Sequence, residues 1–497
     1  MNCEKQPLLN GELKSMKKLV LFSCVGGNCG KLNQFLCSLL ICIPTFSYGN
    51  SIGWMSPMTL LLQSQESPRE TPLTDLEISW MASLPYIACV PGTYLMAFIG
   101  DKFGRKNACL FMSAVGTIIW ILKLCSLNFW VFVVARTLVG ITMAGSCVTC
   151  PTYIREISED SIRGALGCWP SLFTAIGSLF AYIIGDLLSY NANLWIFTCI
   201  PALHFVVFLM MPESPSYLVR NGEMEKATNN LSWLRRHKTT DATIKQELDV
   251  IMKEQKKDEE NKQLMLKNIV SDKILFKAFQ ISLMAALSRE LCGAVPVLNF
   301  AGDIFNLASK EGTGLVISPN QQAMMLGVVQ LCGTMLASSV VEKSGRKNLL
   351  LVTTLISGVS MCLIASWFLI RDYNIHSSAW VPVITLCLCI FCDAAGLMPL
   401  SVVITGEIFS YKYRGSVLAT TMAIASVADF FQLLFFKPLA NSVGVYAAFY
   451  FFGLMCLLTS LYVIVVVPET KNRPLEEIYD DLRPAKGRVN IEQRHVI

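Results

Sequence analysis

Asp101-Lys102-Phe103-Gly104-Arg105-Lys106-Asn107 and Glu342-Lys343-Ser344-Gly345-Arg346-Lys347-Asn348 share one pattern: an acid, Lys, a turn ending in Gly, then Arg-Lys-Asn. Each lies between long apolar runs. A second pair follows, Glu156-Ile157 with Arg163-Gly164 and Glu407-Ile408 with Arg414-Gly415, the spacing from acid to Arg-Gly being identical in both. A third pair closes each set, Pro212-Glu213-Ser214-Pro215 and Pro468-Glu469-Thr470. Three matched pairs in the same order mark an internal duplication.

Working outward from these turns, apolar runs fall at 33–54, 78–100, 107–127, 129–154, 165–186 and 194–212. After a long polar interruption they resume at 277–305, 321–341, 348–370, 379–406, 416–438 and 443–467. A bilayer-crossing helix needs about 20 mostly apolar residues, whereas barrel strands are half as long and alternate. The fold class expected is therefore an all-α membrane protein, with twelve transmembrane helices forming two pseudo-symmetric six-helix bundles. The duplication makes the halves parallel repeats, a layout that places a solute between them near the midplane.

Composition agrees. Of 497 residues 53% are hydrophobic and 15% charged, against about 25% charged in soluble domains. Lys and Arg gather in one set of loops, at Lys102, Arg105, Lys106, Arg155, Arg163, Lys343, Arg346, Lys347, Lys412 and Arg414. The alternate loops carry little beyond Arg69, Lys310 and Arg371. By the positive-inside bias both termini and the central segment are expected to be cytosolic. The division expected is a tail at 1–32, without a signal-peptide pattern, and a first bundle at 33–212. A linker with short helices follows at 213–276, then a second bundle at 277–467 and a tail at 468–497.

The 19 Cys sit mostly singly in apolar runs and only four His are scattered along the chain, so the cysteines read as small packing residues and no metal site is expected. Gly26-Gly27-Asn28-Cys29-Gly30-Lys31 lacks the spacing and preceding strand of a phosphate loop. No nucleophile–base pair emerges, so an enzyme is not expected, nor is a cofactor. A small-molecule solute and the lipid bilayer are the expected partners, with no nucleic acid, and a monomer in the plasma membrane is the working expectation.

The charged turns form a candidate inner-gate network: Asp101, Arg105, Arg155, Glu156, Arg163, Glu342, Arg346, Glu407 and Arg414. Ion pairs across the two halves would hold that face shut. The acid before each turn can accept from amides at the next helix start. Opening the face would break several charge-assisted bonds, each worth about 1.5–3 kcal/mol.

Further motifs run in order. Gly49-Asn50-Ser51-Ile52-Gly53-Trp54-Met55-Ser56-Pro57 ends the first run and Glu77-Ile78-Ser79-Trp80 opens the second. Arg136-Thr137-Leu138-Val139-Gly140, Pro151-Thr152-Tyr153-Ile154-Arg155-Glu156-Ile157, Gly406-Glu407-Ile408-Phe409 and Leu475-Glu476-Glu477-Ile478 follow. On these motifs the chain, over about residues 35–480, resembles the sugar porter family of the major facilitator superfamily. Within it the chain is most similar to insect facilitated trehalose transporter-like proteins. The resemblance implies a twelve-helix carrier of a sugar, passive or proton-coupled.

The departures fall in the solute path that the resemblance implies. The family's Gln in the fifth helix corresponds to Ser171. Its Gln-Gln-Leu-Ser-Gly-Ile-Asn corresponds to Arg289-Glu290-Leu291-Cys292-Gly293-Ala294-Val295, followed by Asn299-Phe300 in place of an aromatic pair. The Trp of the tenth helix corresponds to Val402, and the Asn-Trp of the eleventh to Ala425-Ser426. Asp393 and Asp429 add charge inside expected spans, where a charge usually faces the bundle interior or a cavity. Candidate pathway residues are thus Ser171, Arg289, Glu290, Val295, Asn299, Phe300, Asp393, Val402, Ser426 and Asp429. Aromatics such as Trp54, Tyr86, Tyr94 and Trp169 either line the path or anchor and pack helices. Lys123 reads as a side chain reaching up to the interface. Three functions stay open: a trehalose or hexose facilitator, a carrier of another polar or cationic solute with possible proton coupling, and a transporter-like sensor that carries nothing.

Overall fold

The computed structural model describes residues 29–65, 67–260, 269, 271–309, 317–373, 378 and 380–483. The basic stretch with Lys5, Lys14, Lys17 and Lys18, and the loop residue Lys310, lie outside the described residues, as does the end of the C-terminal tail. Among the described residues twelve helices are long and apolar enough to cross a membrane. Spans 1 to 6 are Lys31–Gln63, Asp75–Phe103, Arg105–Cys125, Phe129–Ile157, Asp160–Leu187 and Tyr190–Phe208. Spans 7 to 12 are Lys273–Asn299, Pro319–Lys343, Arg346–Arg371, Trp380–Ile408, Tyr413–Ser442 and Val445–Val466. Strands are absent among the described residues.

The expected runs and the spans differ most in spans 1 and 7. Span 1 does not stop at Trp54. It bends there and continues as Met55–Gln63. Span 7 is not one helix over 277–305. It runs Lys273–Glu290, breaks, resumes as Ala294–Asn299, and is followed by a separate helix Ala301–Ser309. Gly293 sets the break, with φ +79, a left-handed conformation that only glycine adopts without strain. A Cβ there would stand 2.5 Å from the Phe452 ring. Span 10 also departs from a plain α-helix, widening into a π turn at Asp393–Leu397.

Helix starts repeat with the duplication. Thr74 caps span 2, accepting from Glu77 N at 3.3 Å while Glu77 Oε2 accepts from Thr74 N at 2.8 Å. Ser318 and Gln321 make the same reciprocal cap on span 8, each satisfying donors a helix start leaves open. Packing obeys the same relation. Span 2 lies along span 11, and span 8 along span 5. The two contacts exchange under a pseudo-two-fold axis between the halves.

Three helices follow span 6: Pro215–Arg220, Met224–Arg235 and Ala242–Glu260. They dock on the first half, where Asn33 donates to Trp233 O at 2.7 Å and Arg235 donates to Ile157 O at 2.8 Å. A last helix, Leu475–Leu482, docks on the second half, its Leu482 O accepting from Lys277 Nζ at 3.3 Å.

Candidate functional site

The repeated turns build two matching clasps on one face. In the first half Arg105 Nε donates to Glu156 Oε1 at 3.1 Å, and its Nη1 donates to Asp101 Oδ1 at 2.8 Å. Ser214 Oγ bonds the other Glu156 oxygen. In the second half Arg346 Nε donates to Glu407 Oε1 at 2.9 Å, and Thr470 Oγ1 bonds Glu407 Oε2. Glu213, not Asp101, accepts the amides that open span 3, from Arg105 N at 3.0 Å and Lys106 N at 3.1 Å. Glu469, not Glu342, does so for span 9, from Arg346 N at 2.9 Å and Lys347 N at 3.3 Å. A Cβ on Gly104 or Gly345 would overlap these carboxylates, so glycine at both turns leaves room for the acid. Burial pushes the Glu213 carboxyl above its ordinary range, against the opposing pull of the Ser214, Lys106 and Arg105 amides.

These pairs join helices of one half, whereas the expectation was of pairs spanning both. The reason is reach: each arginine lies at a helix start whose nearest acid ends span 4 or span 10 of its own bundle. Arg163 turns to Asp160 at 2.5 Å and to Ser158 O, and Arg414 Nη2 donates to Phe409 O at 3.4 Å. Arg155 and Glu342 are exposed on the same face.

An ion pair that does join the halves lies on the opposite face. Lys437 Nζ, near the end of span 11, donates to Gln63 Oε1 at 2.8 Å and reaches Asp75 Oδ1 at 3.2 Å. Asn441 Nδ2 donates to Asp75 Oδ2 at 2.9 Å, and Asp303 of the second half holds Lys437 at 2.6 Å. Below this network Gly302 N donates to Ser56 Oγ at 2.8 Å and Tyr182 donates to Leu298 O at 2.8 Å. Together these contacts tie spans 1, 2 and 5 to spans 7 and 11 and close that face.

Between the two faces, span 7 breaks directly after Arg289 and Glu290. Arg289 Nη1 donates to Glu290 Oε1 at 2.8 Å, and its Nε lies 3.6 Å from Asp393 Oδ1. Asp429 sits beside Glu290, and Gln432 donates to the Glu290 carbonyl at 2.8 Å. Four candidate residues from spans 7, 10 and 11 thus come together. Asn299 and Phe300 lie farther along the broken helix. Asn299 donates to the Tyr86 hydroxyl at 3.3 Å, and Phe300 stacks on Phe436 at 5.4 Å. Val295 is buried, Ser426 lies near Cys89 of span 2, Ser171 is half-buried on span 5, and Val402 is 45% exposed.

Lys123 does not reach an interface. It is fully buried, its ammonium 3.7 Å from the Trp54 ring and 4.1 Å from the Trp120 ring, an aromatic sandwich that attracts a cation. Beside the expected Asn299, three amides absent from the sequence-derived candidates, Asn50, Gln330 and Gln432, have open valences. Both side-chain polar atoms of Asn50, and the side-chain oxygens of Asn299, Gln330 and Gln432, have no partner. An amide inside an apolar run is the signal that finds them, since buried polar groups are otherwise paired. Among the described residues no cluster of metal-ligating side chains forms, and the cysteines are free.

The family described as "Sugar (and other) transporter" matches residues 37–482. The chain belongs to that family. It is 25% identical over 448 residues to the facilitated trehalose transporter Tret1 of Culex quinquefasciatus, covering 90% of this chain and 85% of that protein. It is 25% identical over 458 residues to Tret1 of Bombyx mori, covering 92% and 88%. Against the longer Tret1 of Aedes aegypti the chain spans about half, 55%, of that protein's length. The fold is shared with the inward open xylose transporter XylE of E. coli at a TM-score of 0.73 and 21% identity, over 90% of this chain and 99% of that one. As a sugar-transporter family member of the major facilitator fold, the chain is a multi-pass membrane transporter of a small molecule and not an enzyme.

Proposed function

We propose that the chain carries trehalose or a hexose by alternating access, with the solute held between the halves among Ser171, Asn299, Phe300, Ser426 and Tyr86. The observation that carries the reading is the asymmetry of the contacts. The face of Lys437 is tied across the halves, while the Arg105 and Arg346 clasps brace each half within itself. A carrier poised open on one side needs that arrangement, because each half must stay rigid while they rock. Both polar atoms of Asn50 and the open side-chain oxygens of Asn299, Gln330 and Gln432 support a solute rich in hydroxyls, which offers each open atom the donor or acceptor it lacks. The names of the insect relatives point the same way.

In this reading the basic face is cytosolic with both termini, the membrane is the plasma membrane, and the carrier works as a monomer that binds no nucleic acid. The bundles are 33–212 and 277–467, joined by the linker 213–276. A polar or cationic solute is the second reading, favoured by the buried carboxyls of Glu290, Asp393 and Asp429. Counterflow in proteoliposomes tests both, with labelled trehalose, glucose and a panel of organic cations. Exchange of trehalose or glucose that unlabelled sugar competes away supports the proposal. Exchange of a cation alone, or of nothing in the panel, overturns it, and the latter leaves the sensor reading.

A further inference from the structure

Glu290, Asp393 and Asp429 gather around a single guanidinium, that of Arg289, inside the membrane-spanning part of the second half. The groups facing this cluster come from five other spans and span 7 itself. Span 7 supplies Arg289 and Cys292, span 10 supplies Asp393, and span 11 supplies Asp429 and Gln432. From the first half, Tyr86 of span 2 faces Asp429 and Glu290, while Cys147 of span 4 and Tyr48 of span 1 face Arg289. Arg289 is the cation among them. Lys437 stands farther along span 11, held by Asp303 and Asp75. With all three carboxyls ionised the cluster would hold two uncompensated negative charges in an apolar bundle, which burial strongly disfavours.

The orphaned atoms point the same way. Glu290 Oε2, Asp393 Oδ1 and Asp429 Oδ1 find no donor, although each side chain is at most 4% exposed. Glu290 and Asp429 lie within hydrogen-bonding reach of each other, and two carboxyl groups bond only when one carries a proton. Burial also limits the occupant. Arg289 is 28% exposed beside its shielded carboxyls, so an organic solute meets the arginine side chain before it meets them. The carboxyls behind it are reached by something as small as a proton.

We propose that the Glu290–Asp429 carboxyl pair holds a transported proton, so that the carrier moves its solute together with H⁺. The proposal rests on the carrier reading above. A proton from water on the open side adds to a carboxylate oxygen of the pair and is shared with the other carboxyl. It leaves to water on the opposite side after the halves rock, so one proton crosses and no covalent bond is altered. Coupling has a structural source in Tyr86. That side chain, on the other half, lies close enough for its hydroxyl to feel the charge of the pair, so the electrostatic surroundings of Asp429 change whenever the halves part.

The test uses the full chain in vesicles with a pH dye inside. Counterflow of labelled trehalose or glucose at equal pH, which needs no driving force, reports the carrier. A gradient of one pH unit then reports coupling, with an accumulation limit of about tenfold at one proton per solute and a matching change of lumenal pH. In Glu290→Gln and Asp429→Asn the ratio of gradient-driven accumulation to exchange is expected to fall at least about fivefold. Wild-type exchange without accumulation or pH change overturns the coupling and leaves the carrier. Accumulation undiminished in both variants moves the proton elsewhere and also overturns the assignment. If no sugar exchanges, the carrier reading fails, and infrared spectroscopy of the purified protein decides the proton. A carboxylic-acid band at neutral pH that disappears in both variants supports the shared proton, and its absence in wild type refutes it.

Discussion

Replacing Asp75 by Ala should shift the carrier away from the state described here, by opening the face that Lys437 closes. Asp75 makes two of the bonds that cross between the halves on that face, from Lys437 at 3.2 Å and Asn441 at 2.9 Å. Its side chain is 46% exposed, so the ion pair with Lys437 is discounted for solvent to about 0–1 kcal/mol. The Asn441 bond adds about 0.5–1.5 kcal/mol. The variant keeps Lys437 paired with Asp303 inside the second half and bonded to Gln63, so no buried cation is stranded. The expected loss is about 0.5–2.5 kcal/mol, a shift of about 2- to 70-fold in the ratio of closed to open on that face. Spin labels at the exposed residues Thr71 and Val443, one on each half, would read the opening as a longer distance population. The labels are best introduced on a non-natural side chain, because the chain carries 19 cysteines. A distance distribution in Asp75→Ala that superimposes on wild type, with and without solute, would refute the assignment of these bonds as a lock.

Three further outcomes follow from the geometry. Arg105→Ala should lower thermal stability by about 3–5 kcal/mol and slow turnover more than it weakens solute binding. It strands the partly buried Glu156, and unchanged melting in detergent would count against the clasp. Gly293→Ala should cost about 1–3 kcal/mol and misplace Glu290, because a β-carbon meets both a left-handed φ and the Phe452 ring. A melting temperature within error of wild type would mean the break tolerates other backbone angles. For Glu213 the folded carboxyl is raised above its unfolded value, so between the two values the folded state binds more protons and stability falls as pH rises. The melting temperature of wild type relative to Glu213→Gln should therefore fall as pH climbs through and just above the glutamate range. A flat or rising difference contradicts the burial argument.

The spans and the duplication were readable because lipid imposes long apolar runs, and a repeat writes every turn twice. The reciprocal caps Thr74–Glu77 and Ser318–Gln321 are equally legible from spacing alone. The break in span 7 was legible only in part, because Leu291 to Leu298 continues the apolar run and Gly293 and Pro296 are its signal without saying where the helix stops. The partners of the repeated arginines were readable in kind but not in arrangement. Hydrophobic pattern places Glu213 next to span 6 without revealing that it folds back on the start of span 3. The lock at Lys437 depends on Asp75, 362 residues away, and no local pattern joins them. Lys123 misled for a related reason. A lysine near a span end ordinarily lifts its ammonium to water, and only the tertiary approach of Trp54 and Trp120 makes burial tolerable.

Because Glu213 seals the turn between spans 2 and 3, and Glu469 the turn between spans 8 and 9, each bundle is stitched shut by its own trailing residues. Neither borrows its fastener from the other. A chain severed in the bend at Lys238–Asp241, past both Glu213 and the helix that ends at Arg235, would leave two fragments with their fasteners intact. Co-expressed, such fragments have what they need to find each other along the span 2–11 and 5–8 seams and rebuild one molecule from two genes.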